Sequence, residues 1–129
     1  MTEPTIEQRL RRRYVLMSTD ANFVAACRSL TPSGWELVQL DQLDQAGEWH
    51  ELLLFRFLVL DLDECDVYDP MDVIREIRTQ HQINLAVFCF GGDDDIRDEM
   101  RLARADRFFA KNEVVRVLPM FFEQYAWGR

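Results

Sequence analysis

The chain has 129 residues, with 15 Lys and Arg against 23 Asp and Glu, for a formal net charge of −8. That length is one ordinary domain, and the sign of the charge excludes general attraction to nucleic acid or to an anionic membrane. Hydrophobic residues make up 48% of the chain, while glycine (5) and proline (4) are scarce, which excludes disordered, collagen-like and loop-dominated chains.

Cys27, Cys65 and Cys89 form no CxxC pair and are odd in number, the usage of reduced thiols in a cytoplasmic protein. The segment from Met1 to Met17 is basic but lacks the apolar run of a signal peptide, and nothing approaches the roughly 20 apolar residues of a membrane span. The tail from Gln124 to Arg129 has no linker character, so the chain reads as a complete protein.

In chain order, short apolar runs alternate with segments of helical period. Residues 1–11 read as an extension. Tyr14-Val-Leu-Met17 is a predicted strand, followed by a helix capped by Asp20, with Phe23, Val24, Cys27 and Leu30 on one face. Thr31-Pro-Ser-Gly34 stops it, and Trp35–Leu40, carrying Glu36 and Gln39, reads as an edge strand. A weaker helix lies within Ala46–Leu53. Phe55–Leu60 is a strand that is apolar apart from Arg56, the pattern of a parallel sheet covered on both faces. Asp69-Pro70 starts a third helix through Val73, Ile74 and Ile77. Leu85–Phe90 is a fourth strand. Asp93–Asp95 then place negative charge at the start of a fourth helix carrying Ile96, Met100 and Ala103. Phe108–Ala110 is a fifth strand, and Asn112 is the predicted cap of a last helix through Val114, Leu118, Phe121, Phe122 and Tyr125.

Five strands alternating with five helices predict an α/β domain: a doubly wound five-stranded parallel sheet in three layers, α/β/α, with its core over about residues 12–125. Function in such sheets sits at the carboxyl ends of the strands: Ser18–Asp20, Asp41, Asp61–Asp66, Phe90–Asp93 and Lys111. Asp61 ends the third strand and Lys111 follows the fifth, which predicts an Asp61–Lys111 ion pair. A carboxylate beside an ammonium and near a metal can attack a phosphoryl group.

Three segments carry a resemblance: Phe57-Leu-Val-Leu-Asp61, Asp72-Val-Ile-Arg-Glu-Ile-Arg78, and Ala103-Arg-Ala-Asp-Arg-Phe-Phe-Ala-Lys111. Together they resemble the receiver domains of two-component response regulators, small flavodoxin-like domains phosphorylated on aspartate, over about residues 12–125. Arg104 stands where the motif usually has glycine. The resemblance implies a non-enzymatic signalling domain acting through protein–protein contact. In it, Asp61 is the phospho-acceptor, Lys111 contacts the phosphoryl oxygens, and a histidine kinase or phosphotransfer protein is the donor. It implies Mg²⁺ held by Asp61, the Asp63 carbonyl and, as a stand-in, Asp20. A dimer or effector face is implied on the fourth helix, fifth strand and fifth helix, including Arg101, Phe108, Val115 and Met120.

The pattern is departed from at four further places. Ser18 and Thr19 replace the acidic pair that ends the first strand. The switch hydroxyl after the fourth strand falls on Cys89, Phe90 or Gly91, and the switch aromatic falls on Phe108, which has no phenol. Asn112 replaces the proline that commonly follows the lysine. A phosphorylation-independent interaction module is therefore the alternative, followed by a small flavodoxin-like cofactor-binding protein.

The remaining features read as structural. The acids Asp63, Glu64, Asp66 and Asp69 lack the glycine and spacing of a calcium loop, and Gly91-Gly92 is no phosphate loop. His50 and His81 lie far apart in sequence, with no zinc-ligand spacing. Arg9 and Arg11–Arg13 read as a solvated edge, and Arg97, Arg101 and Arg104 as one charged helix face. In the last helix Val115, Val117 and Met120 widen the apolar stripe, and Pro119 predicts a kink.

Overall fold

The structure, a computed structural model, describes residues 5–64 and 66–128. Cys65 lies outside them. The elements, in order, are α1 (Ile6–Leu10), β1 (Arg12–Met17), α2 (Ala21–Leu30), β2 (Trp35–Gln39), α3 (Trp49–Leu52), β3 (Phe57–Asp61), α4 (Pro70–Arg75), β4 (Ala86–Phe90), α5 (Asp94–Leu102), β5 (Arg107–Phe109) and α6 (Val114–Gln124). The strands form one parallel sheet in the order β2-β1-β3-β4-β5. The doubly wound α/β/α architecture and all five predicted strands are present.

Alternation along each strand divides the core in two. Tyr14, Leu16, Phe57, Val59, Phe88 and Phe90 face α2 and α6; Val15, Met17, Leu58, Leu60, Val87 and Cys89 face α3, α4 and α5. The first half is largely aromatic: Phe88 stacks on Phe121 at 3.9 Å, and Tyr14 on Phe57 at 5.0 Å. Asp20 and Asp69 cap α2 and α4 as predicted, and Asp93, the first of the acidic run, caps α5; each accepts from the backbone N–H groups of the first turn.

Several expectations are corrected. There are six helices rather than five, because Thr5 and Gln8 close a reciprocal capping box over the one-turn α1 inside the supposed extension. The weak helix between β2 and β3 is a 3₁₀ turn, Leu43–Ala46, followed by the single turn α3. α4 widens into a π turn over Glu76–Gln80. Asn112 is not a cap: it lies inside the 3₁₀ turn Lys111–Glu113, and the Glu113 carboxylate reaches back to the Ala110 N–H at 2.8 Å. α6 runs unbroken through Pro119; the carbonyl left without its donor belongs to exposed Val115. Val117 is core, whereas Val115 and Met120 are exposed. His50 and His81 meet on the two sides of Trp49, edge-on and stacked respectively. Cys27 and Cys89 are buried free thiols. Among the described residues no helix is long and apolar enough to cross a membrane.

At the N-terminal edge of the sheet, Arg56 enters β3 with its side chain buried (4% exposed). Its guanidinium donates to the carbonyls of Leu10, Arg11, Tyr125 and Trp127 at 2.8–3.3 Å and lies 3.3 Å from the Trp127 ring centroid. One cation thus serves the carboxyl ends of α1 and α6, where the helix dipoles favour positive charge. Replacing Arg56 with Leu is expected to lower stability by about 3 kcal/mol, since four carbonyls lose a charged donor. Arg56→Lys should recover only part of this, because an ammonium has three donors and cannot stack flat on the indole. Urea denaturation of the three proteins at equal m-value provides the check.

Candidate functional site

The site is built at the carboxyl ends of the strands, as the strand order requires. β3 is central, so Asp61 at its end stands between the loops leaving β1 and β4; its register partner is Phe90. The carboxylate is nearly sealed, at 2% exposure. Its Oδ2 accepts from the Ser18 hydroxyl at 2.7 Å, and its Oδ1 from the Asp63 N–H at 2.9 Å. Lys111, two residues beyond the end of β5 at Phe109, brings its Nζ to 2.9 Å from Asp61 Oδ2. The expected ion pair is present, reaching across β4.

Lys111 holds two further carboxylates. Its Nζ is 3.1 Å from Asp20 Oδ2 and 3.3 Å from Asp63 Oδ2. Burial alone would lower the lysine's pKa, but the hydrogen bonds to Asp61, Asp20 and Asp63 hold it above its ordinary value. Asp20 serves twice: Oδ1 caps α2 through Asn22 and Phe23, while Oδ2 pairs with Lys111. The Lys111 bond, then the Phe23 N–H, hold its carboxyl below the usual range. Asp63 enters the site by its side chain, with Oδ1 accepting from the Gly92 N–H at 2.9 Å.

Gly91 is what admits that carboxylate, and Gly92 follows it in the same turn. Both have positive φ (80° and 78°), and a Cβ on Gly91 would stand 2.4 Å from Asp63 Oδ2. The Gly91 carbonyl accepts from Arg97 Nε at 2.9 Å, which fixes the turn against α5. Thr19 donates through its hydroxyl and its N–H to Glu64, whose carboxyl is thereby held low, the hydroxyl bond being the larger cause. Asp69 caps α4, so the acidic loop is divided among separate tasks rather than left as a solvated run. Asp41, by contrast, lies exposed beyond β2, its N–H bonded by Gln45, and does not join the site.

Sequence reasoning did not find Tyr68. Its buried hydroxyl donates to the carbonyls of Met17 and Asp61, joining the ends of β1 and β3, and burial pushes its pKa well up. A tyrosine seven residues beyond a strand-end aspartate carries no local signal of that bond. The switch candidates separate cleanly. Cys89 is fully buried facing α4 and α5, and burial pushes its thiol up to about 12. Phe90, the partner of Asp61, is buried on the opposite face, against Phe23 and Phe109. Phe108 is half-buried, with the Arg101 guanidinium 4.7 Å from its ring centroid. Arg97, Arg101 and Arg104 do not share a face as their spacing predicts: α5 ends at Leu102, and Arg104 turns away with φ of 73°.

No family model matches the sequence, and no curated protein matches it. Solved structures do resemble it. The signal receiver domain of a response regulator from Bermanella marisrubri superposes with a TM-score of 0.68 at 20% identity, covering 88% of this chain and 96% of that one. The signal receiver domain of a DNA-binding response regulator from Colwellia psychrerythraea gives 0.66 at 18%, with the same coverage. A phosphorylated cyanobacterial phytochrome response regulator gives 0.68 at 14%, covering 91% and 95%. The chain therefore has the CheY-like receiver fold of two-component response regulators.

Replacing Lys111 with Met leaves buried Asp61 without its counter-charge beside two other acids. Stability should fall by about 2 kcal/mol, less than for a fully buried pair because the ammonium is partly exposed. Adding Asp61→Asn should return part of that loss in a double-mutant cycle. The acid limb follows from the lowered carboxyls of Asp20 and Glu64. Their stabilisation is complete above the ordinary carboxyl pKa of about 4 and is lost as pH falls through the lowered folded-state values. Asp20→Asn should therefore make the fall in Tm below that pH shallower, as read by thermal melts across the acid range.

Proposed function

We propose that this protein is a receiver-type signalling module whose site is held shut by its own lysine and which works by protein–protein contact without phosphorylation. The observation that carries this reading is the placement of Lys111 Nζ within 3.3 Å of Asp20, Asp61 and Asp63 together. An ammonium at the meeting point of three carboxylates takes up part of their negative charge and fills the position on which all three converge.

The fold implies Mg²⁺ beside the strand-end aspartate, and the residues here do not fit it. Octahedral Mg²⁺ needs carboxylate or carbonyl oxygens pointing at one open position. Ser18 Oγ is committed to Asp61, Thr19 Oγ1 to Glu64, and the three carboxylates close on Lys111. The register partner of Asp61 is phenylalanine, which has no hydroxyl to follow a phosphoryl oxygen. Contact with another protein is supported instead by exposed apolar residues, Leu102 on α5 and Val115 and Met120 on α6, and by the Arg101–Phe108 pair between α5 and β5. A second copy of the chain is the first partner to test.

Incubation with acetyl phosphate and Mg²⁺, followed by intact-mass measurement, is expected to leave the mass unchanged. A phosphoryl increment that Asp61→Asn abolishes would overturn the reading in favour of a phosphate-driven switch, with a histidine kinase or phosphotransfer protein as donor. Sedimentation of the same samples should show self-association that survives Asp61→Asn and is lost in Val115→Glu/Met120→Glu.

A further inference from the structure

The opposite pole of the sheet holds a second constellation. Arg78, Thr79, Gln82, Ile83, Asn84 and Arg104 surround a cavity of about 360 Å³ at the N-terminal ends of β4 and β5. Among the described residues only two non-glycine residues have positive φ, Gln82 (55°) and Arg104 (73°), and both line this cavity. Such a backbone costs a residue with a Cβ on the order of 1 kcal/mol, and strain of this kind gathers at functional sites. Glycine would relieve it at Arg104, yet the chain carries a guanidinium there.

The two arginines hold each other in place. Arg78 Nε donates to the Arg104 carbonyl, and an Arg104 terminal nitrogen donates to the Arg78 carbonyl, both at 3.0 Å. Arg78 is 8% exposed and also donates to the Ile83 carbonyl at 2.7 Å and to Asp106 Oδ2 at 2.8 Å, an ion pair that cancels its charge. Arg104 has no carboxylate partner among the described residues. The cavity therefore carries one uncompensated positive charge, in a protein whose net charge is −8. Thr79, Gln82 and Asn84, exposed residues whose side chains can donate to oxygen, line the same opening as Arg104.

We infer that this cavity is an oxyanion site that takes the phosphate group of a small polar molecule, with Arg104 as its charged donor. A planar guanidinium suits tetrahedral oxyanions through paired N–H bonds, and the volume exceeds that of a free phosphate ion. The site is separate from Asp61 and Lys111, which lie at the other edge of the sheet, and does not depend on the function proposed above.

Titration of the ¹⁵N-labelled full chain with inorganic phosphate, and separately with glycerol phosphate, tests the assignment. The controls hold ionic strength constant with sodium chloride. Saturable amide shifts are expected at Gln82, Asn84 and Arg104, and tighter binding of the ester would identify the ligand class as a phosphomonoester rather than the free ion. Arg104→Gly, which relaxes the backbone, should keep or raise Tm and weaken binding by about tenfold or more. Asp61→Asn should leave it unchanged. The proposal is overturned if chloride produces the same shifts, if phosphate shifts only residues around Lys111, or if Arg104→Gly lowers Tm while phosphate binding persists. That last result would make Arg104 a tie to Arg78 and nothing more.

Discussion

The carboxyl edge of this sheet depends on one ammonium. Topology gathers Asp20, Asp61 and Asp63 to within a few ångströms of one another, from the loop after β1, the end of β3 and the turn beyond it. Without Lys111 their mutual repulsion would open those loops, and Asp61 would be a buried charge with no counter-charge. With it, one side chain from beyond β5 ties the loops around β1 and β3 to the far side of the sheet. The glycine pair after β4 and the Tyr68 hydroxyl are accommodations to that arrangement. Gly91 clears space for the Asp63 carboxylate, Gly92 donates its N–H to it, and the tyrosine joins the strand ends that carry Asp61 and the Ser18 turn.

The two edges of the sheet solve opposite electrostatic problems. At the carboxyl edge a half-buried cation is held among acids. At the amino edge, Arg56 and Arg78 are buried mainly against backbone carbonyls at loop and helix ends, with Asp106 the single carboxylate partner. Guanidinium suits this task because its several planar donors reach separate oxygens without loss of charge. An acidic protein thus spends some of its few basic residues inside the fold.

What the sequence made legible was local. The apolar runs mark the strands because a doubly covered parallel sheet admits few polar residues. Asp20 and Asp69 are legible as caps because a cap acts within three residues, and the Asp93–Asp95 run is legible as a helix start by its charge. Asp61 and Lys111 stood out because each closes an apolar strand. The Ser18–Asp61 and Tyr68–Met17 bonds were not legible, since they span 43 and 51 residues and neither partner is unusual in its own neighbourhood. α1 could have been read: Thr5-Ile-Glu-Gln8 is a capping-box pattern obscured by the arginines behind it. Arg104 misled because helical spacing carries no information about where the helix stops, and α5 ends two residues earlier.

The shared guanidinium beneath Trp127 also bears on motion. In most small domains the first and last turns open separately, each with its own low free energy. Here the end of α1 and the end of α6 hang on the same buried side chain, which is itself rooted at the start of the central strand. Release of either end frees donors that the other end still needs. Amide exchange at the end of α1 and the end of α6 should therefore be correlated and slow, with both belonging to the same cooperative unit as the strand that leads to Asp61.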